Sequence, residues 1–239
     1  MSLLTLPPLS LYVHIPWCVR KCPYCDFNSH ERSDIPEQAY LAALLEDLQG
    51  DLDYVQGRAI QSIFFGGGTP SLMSGSFYTA LLDRLREQLA FADDIEITLE
   101  VNPGTVEQGR FEQYRAAGIN RLSIGVQSFN PAHLQALGRI HSADEAIRAA
   151  TAARNAGFDN FNLDLMHALP GQGRAEALDD LAQAISLNPT HLSWYELTIE
   201  PNTAFFSAPP EQPDGDTMAD IEDAGFALLA REGYARYEI

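Results

Sequence analysis

"SLYVHIPWCVRKCPYCDFNSH" runs from Ser10 to His30 and decides how the rest of the chain is read. Its first part, Ser10 to Ile15, is rich in β-branched and aromatic residues and ends at a proline, the pattern of a strand. Its second part holds every cysteine in the chain: Cys18, Cys22 and Cys25. A strand that delivers all its thiols into one short loop raises a question of chemistry and of architecture together.

The spacing is C-x3-C-x2-C. Three cysteines cannot complete a disulfide framework, and in a reducing compartment such a cluster binds a metal or reacts. A structural zinc site wants four ligands, usually as two separated pairs. His14 or His30 would have to complete it, and neither has the usual spacing. A thioredoxin-like pair needs only "CPYC" and leaves Cys18 without a role. An iron–sulfur cubane ordinarily takes four thiolates. Three thiolates on one loop hold three corners and leave the fourth iron open. That iron can chelate the amino and carboxylate groups of S-adenosylmethionine (SAM), whose sulfonium an electron from the cluster can cleave to a 5′-deoxyadenosyl radical.

Working outward from the loop, strand-like and helix-like segments alternate. Strands are expected at Ser10–Ile15, Ile60–Phe65, Ile95–Val101, Arg121–Val126, Asn160–Met166 and His191–Thr198. Helical spacing appears in "PEQAYLAALLEDLQG", with Tyr40, Leu41, Leu44, Leu45 and Leu48 on one face. "TVEQGRFEQYRAAG" places Thr105 and Gln108 in capping-box register, and "SADEAIRAATAARNAG" does so with Ser142 and Glu145. "RAAGINRLSIG", "RNAGFDNFNLD" and "REGYARYEI" share one grammar: a helix end, a glycine cap, then a strand. Repeated βα units predict an α/β fold on a parallel sheet. The third copy predicts a strand running to Ile239, hence a single domain over residues 1–239 with family sequence still to follow. "EPNTAFFSAPPEQPDGD", Glu200 to Asp216, holds four prolines and reads as an ordered loop or flap.

Composition narrows the function. Hydrophobic residues make up 46% and charged residues 20%, a globular balance. The formal net charge is −18, which disfavours general nucleic-acid binding and, with it, radical modification of tRNA. No segment reaches the roughly 18 apolar residues of a membrane span. The N-terminus lacks a basic region before its apolar run, which Pro7 and Pro8 interrupt, so the cytoplasm is the expected compartment. A peripheral contact with a membrane surface stays open.

Polar residues at the ends of the expected strands form a second constellation. "FFGGGTPS", Phe64 to Ser71, follows the second strand; its glycines allow close backbone approach, and exposed amides there would meet the methionine end of SAM. Glu100 ends the third strand, Gln127 follows the fourth, Arg139 lies in the next loop, and Asp164 lies on the fifth strand. Each alone reads as a cap, a strand-end hydrogen bond or a surface charge. Together they converge on the C-terminal mouth of a barrel, where active sites lie. His14, His141, His167 and His191 read as packing, site support or caps rather than haem ligands, and Trp17 and Trp194 as core or pocket lining.

C-x3-C-x2-C with an aromatic at Tyr24 resembles the signature of the radical SAM superfamily. The resemblance implies a partial (β/α)6 barrel, a 4Fe–4S cluster on Cys18, Cys22 and Cys25, and SAM at the fourth iron. It places Gly67, Gly68 and Thr69 at the superfamily's GGE-type motif, and implies SAM contacts from Tyr12, Tyr24, Glu100, Gln127, Arg139 and Asp164. "NRLSIGVQSF", "LGRIHS", "NLDLMHALPGQ" and "HLSWYELTIEPNT" are similar to the oxygen-independent coproporphyrinogen III oxidase-like family across essentially the whole chain. The oxidase branch carries a further cysteine two residues after the third ligand, and here that position is Phe27. The resemblance therefore points to the haem-chaperone branch, whose partners are haem or porphyrin and haem-acceptor proteins. The alternative is a coproporphyrinogen III dehydrogenase of porphyrin biosynthesis.

Overall fold

The computed structural model describes residues 6–105 and 108–237. In chain order the elements are β1 (Leu9–Ile15), β2 (Trp17–Cys18), β3 (His30–Glu31), α1 (Glu37–Val55), β4 (Ile60–Gly67), α2 (Gly75–Gln88), β5 (Phe91–Val101) and α3 (Gln108–Ala117). There follow β6 (Arg121–Gln127), α4 (Pro131–Ala136), α5 (Ala143–Asn155), β7 (Phe161–His167), α6 (Arg174–Ser186), β8 (His191–Glu196), α7 (Ala204–Ser207) and α8 (Gly215–Arg231). Six strands form one sheet in the order β1-β4-β5-β6-β7-β8, and every neighbouring pair is parallel. This is the partial (β/α)6 arrangement expected from the sequence.

Parallel strands buried on both faces read as unbroken apolar runs. These strands alternate instead. One face carries Ile63, Phe65, Ile97, Leu99, Leu122, Ile124, Leu163 and Leu165, all at most 2% exposed and packed beneath the helices. The intervening positions carry Thr98, Glu100, Ser123, Asn162, Asp164 and Ser193. Side chains on a strand point to opposite faces in turn. The sheet therefore has an apolar outside that builds the core and a polar inside that lines a concave cleft.

The three echoed helix ends fold in the same way. Gly118, Gly157 and Gly233 have φ of 110°, 85° and 89°, and a residue with a Cβ resists that left-handed region. At the first, Gly118 N–H donates to Arg115 O and Ile119 N–H to Tyr114 O. The same pair of bonds recurs at Gly157 with Phe158, and at Gly233 with Tyr234. These are Schellman caps, and each turns the chain back toward the sheet. After the third cap, residues 234–237 are not in a strand; the end of that expected strand lies outside the described residues.

The Ser142–Glu145 capping box opens α5 as expected. The Thr105–Gln108 cap spans Val106 and Glu107, which lie outside the described residues. β5 begins at Phe91 rather than Ile95, because a register shift against β4 pairs Ile60 with Phe91 but Ser62 with Glu96. β8 ends at Glu196 rather than Thr198, with the Leu197 N–H donating to His167 O as the last rung of the ladder to β7. The proline-rich stretch holds the single-turn α7, and α8 starts before that stretch ends.

Candidate functional site

The cysteine loop leaves β1 at the C-terminal mouth of the sheet. Its neck is closed where β2 pairs in parallel with β3, with His30 N–H on Pro16 O at 2.7 Å and Arg32 N–H on Cys18 O at 3.0 Å. Inside the loop, Cys25 N–H donates to Cys22 O at 3.1 Å, so the last two cysteines flank one tight turn. Lys21 Nζ donates to Phe27 O, and Lys21 N–H to Glu31 Oε1, each at 2.9 Å.

Three neighbours hold this loop from outside. The first is the glycine run after β4. Gly68 N–H donates to Ile15 O and Thr69 N–H to Trp17 O, both at 2.7 Å, while Gly67 N–H donates to Glu100 Oε2 at 3.2 Å. The amides of the run are thus spent on the protein, which corrects the expectation that they are exposed for a ligand. The glycines serve close passage. Gly67 has φ of 114°, and a Cβ on it would lie 2.5 Å from the His14 ring. The second neighbour is Gly138, where a Cβ would lie 2.8 Å from Pro23 Cδ. The third is Phe205, whose N–H donates to Pro23 O at 2.9 Å and whose ring packs near that of Tyr24.

His14 joins the loop to the barrel lining. Its Nε2 meets Asn28 O at 2.8 Å and its Nδ1 meets the Tyr12 hydroxyl at 2.9 Å. A carbonyl only accepts, so Nε2 carries the proton and Nδ1 accepts from Tyr12. The His14 carbonyl in turn accepts from the Tyr40 hydroxyl. His14 is therefore a strut, in line with its sequence reading as packed or supporting.

Two groups of predicted residues come together. Around the sulfurs, Thr69 Oγ1 donates toward Cys18 Sγ at 3.5 Å and Arg139 Nη1 toward Cys22 Sγ at 3.6 Å. Cys18 is buried, while Cys22 and Cys25 are half-buried and remain reachable. Burial pushes the Cys25 thiol above its ordinary range, and the neighbouring Cys22 and Cys18 push the same way. Burial also raises the Tyr24 hydroxyl, against the pull of the nearby Arg139 charge.

In the cleft, Asp164 accepts from Ser123 Oγ at 3.0 Å and from Asn162 Nδ2 at 2.7 Å. Burial raises its carboxyl, and those hydrogen bonds offset part of the shift. Burial also raises Glu100, to about 7, with the Asp164 charge adding to it and the Gly67 amide opposing. Two carboxyl groups that feel each other in a poorly solvated cleft cannot both ionise freely. Gln127 ends β6 with φ of 70°, a strained backbone for a residue with a side chain, and its Oε1 accepts from the Tyr195 hydroxyl at 2.8 Å. Tyr12 stands 57% exposed on the same face, stacked on Phe64.

Tyr195, Ser123, Asn162 and Ser193 are site residues that the strand-end reading passes over. Their signal was present: each sits an even number of positions from a predicted site residue or from another cleft residue on its strand.

Among the described residues, no group of three or more His, Cys, Asp or Glu side chains converges as ligands of a single metal ion. A cubane makes no such demand, because each sulfur binds a different iron. The local chemistry fits a negatively charged, thiolate-bound group. Both donors that reach sulfur treat it as an acceptor. Arg139 Nε is buried with no partner, and no carboxylate pairs with this guanidinium among the described residues. A buried cation without a counter-charge is costly, and an anionic cluster or a carboxylate ligand would relieve it.

The fold and this loop define a class. The family model described as the Radical SAM superfamily matches residues 12–184, and the chain belongs to that superfamily. Membership implies a 4Fe–4S cluster and SAM. Among individual proteins, the chain is 59% identical over 238 residues to the heme chaperone HemW of Haemophilus influenzae, covering 98% of this chain and 62% of that protein. It is equally 59% identical over 234 residues to HemW of Escherichia coli, with the same coverage. Among solved structures, coproporphyrinogen III oxidase (HemN) from Escherichia coli aligns with a TM-score of 0.87 and 32% identity over 95% of this chain and 54% of that one. The chain thus spans 62% of the length of its HemW relatives.

Proposed function

We propose that Cys18, Cys22 and Cys25 ligate the 4Fe–4S cluster, that SAM lies in the adjoining cleft, and that the whole protein is a haem chaperone delivering haem to acceptor proteins. When bound, the cluster supplies one-electron chemistry at an open iron. The chain's own residues hold and shape the site. The β2–β3 neck, Pro23 and the glycine run fix the loop, and Thr69 and Arg139 donate to its sulfurs. Asp164, oriented by Ser123 and Asn162, is suited to accept from ribose hydroxyls. Glu100 and Gln127 sit where a polar ligand would need acceptors, with Tyr12 as an aromatic wall.

The observation that carries the haem reading is the 59% identity with two proteins named as heme chaperones, over 98% of the chain. Phe27 agrees with it, standing 58% exposed where the oxidase branch has a further cysteine. Of the histidines, His14 is engaged through both ring nitrogens, and His133, His141 and His167 are buried, so none of these four presents a free, exposed imidazole at the mouth. The test is haem titration of the reconstituted full-length protein, then transfer to an apo-acceptor. A stable complex and transfer are expected; neither forming would overturn the reading.

The similarity to HemN favours a second reading, oxidative decarboxylation of coproporphyrinogen III. Anaerobic incubation with SAM, reductant and coproporphyrinogen III separates the two. Protoporphyrinogen as product would replace the chaperone reading with the enzymatic one.

A further inference from the structure

We infer that Arg139 sets the reduction potential of the cluster by donating to the thiolate of Cys22. The inference rests on the proposal that Cys22 is a cluster ligand.

The geometry comes from three contacts. The loop after α4 is drawn against the cysteine loop because Gly138 has φ of 67° and lacks a Cβ, which would otherwise meet Pro23 at 2.8 Å. That approach brings the next residue, Arg139, to the sulfurs. Its Nη2 is anchored on Gly125 O at 2.7 Å, so the guanidinium plane is fixed by the barrel strand β6. The other prong, Nη1, then points at Cys22 Sγ, 3.6 Å away. The fork is rigid and planar, so anchoring one nitrogen aims the other.

Besides Cys22, the guanidinium neighbours the uncharged Tyr24 hydroxyl, and no counter-charge meets it among the described residues. Arg139 makes no ion pair among the described residues, its Nε is buried without a partner, and Glu100 and Asp164 are hydrogen-bonded within the cleft. Hydrogen bonds to the sulfurs and local net charge are the levers by which a protein tunes such a cluster. The reduced cluster is more negative by one electron. A donor and a positive charge at Cys22 favour it over the oxidised form and raise the potential.

The measurement is anaerobic potentiometry of the reconstituted protein, monitored by the electron paramagnetic resonance of the reduced cluster, with iron content measured on every sample. Arg139→Gln is expected to keep its iron and to lower the reduced-to-oxidised ratio at least tenfold at a fixed potential. For a one-electron couple that is a midpoint 59 mV more negative. Arg139→Lys keeps the charge but cannot hold Gly125 and Cys22 together, so an intermediate shift is expected; it also serves should the glutamine variant fail to fold or to keep its cluster. A cluster that assembles normally with an unchanged or more positive midpoint in the variants overturns the inference and leaves the ligand assignment standing. A parent protein that assembles no cluster overturns the ligand assignment itself and the inference with it.

Discussion

At the scale of single residues, the cleft carboxyls give the sharpest pH behaviour. Glu100 holds its proton to about pH 7 in the folded chain, against 4.5 for an unperturbed carboxyl. Between those values the folded state binds more protons than the unfolded one, so stability falls as pH rises. Glu100→Gln abolishes that proton uptake. Urea denaturation of parent and variant at pH 5 and pH 7.5 should show the parent losing stability relative to the variant, by at most about 3 kcal/mol. An identical pH response would remove Glu100 from this role. On the acid side the sign reverses. Burial lowers His141 and His167 to about 4, so their neutral forms contribute stability that is lost as pH falls from about 6.5 toward 4. Asp164 is the residue on which SAM binding should depend most visibly. Asp164→Ala is expected to weaken equilibrium SAM binding about tenfold or more, roughly the loss of one or two charge-assisted hydrogen bonds. Unchanged affinity would place the nucleoside elsewhere.

At the scale of elements, the loops and helix ends were legible and some helix packing was not. The three glycine caps could be read from "RAAG", "RNAG" and "REG" because a Schellman cap has a local signature. The cysteine loop could be read because its thiol spacing is local as well. The fit of α8 could not. Gly225 lies in the middle of that helix against the indole of Trp194, where a Cβ would come within 1.9 Å of Cη2. Only the sheet decides that Trp194 turns outward to meet it, since Ser193 and Tyr195 take the cleft side. Gly225→Ala should gain helix propensity yet destabilise the protein by about 1–3 kcal/mol through overpacking, read by chemical denaturation. A stabilised variant would show that α8 packs otherwise. The amides of the glycine run were misread for a related reason: sequence shows that backbone can approach there, but not that Ile15 and Trp17 claim it first.

At the scale of the whole molecule, the alternation of the strands links fold to chemistry. A sheet whose outer face is apolar and whose inner face carries Thr98, Glu100, Ser123, Asn162 and Asp164 is stable only with helices outside and a polar cleft within. The sequence announced the six βα units through their caps and periodicity, and the mouth of the sheet through the cysteines. It did not announce which strand-end residues would meet. Glu100 reaches Gly67 across 33 positions and Arg139 reaches Cys22 across 117, and such pairings are set by strand order rather than by local spacing.

The central claim is that three neighbouring thiolates carry an iron–sulfur cubane at that mouth. Anaerobic reconstitution with iron and sulfide, followed by metal analysis and absorbance near 400 nm, tests it most directly. The account predicts about four irons per chain in the parent, and loss of both iron and colour in Cys22→Ala. A zinc-loaded, iron-free parent, or a Cys22→Ala variant with unchanged iron, would contradict it.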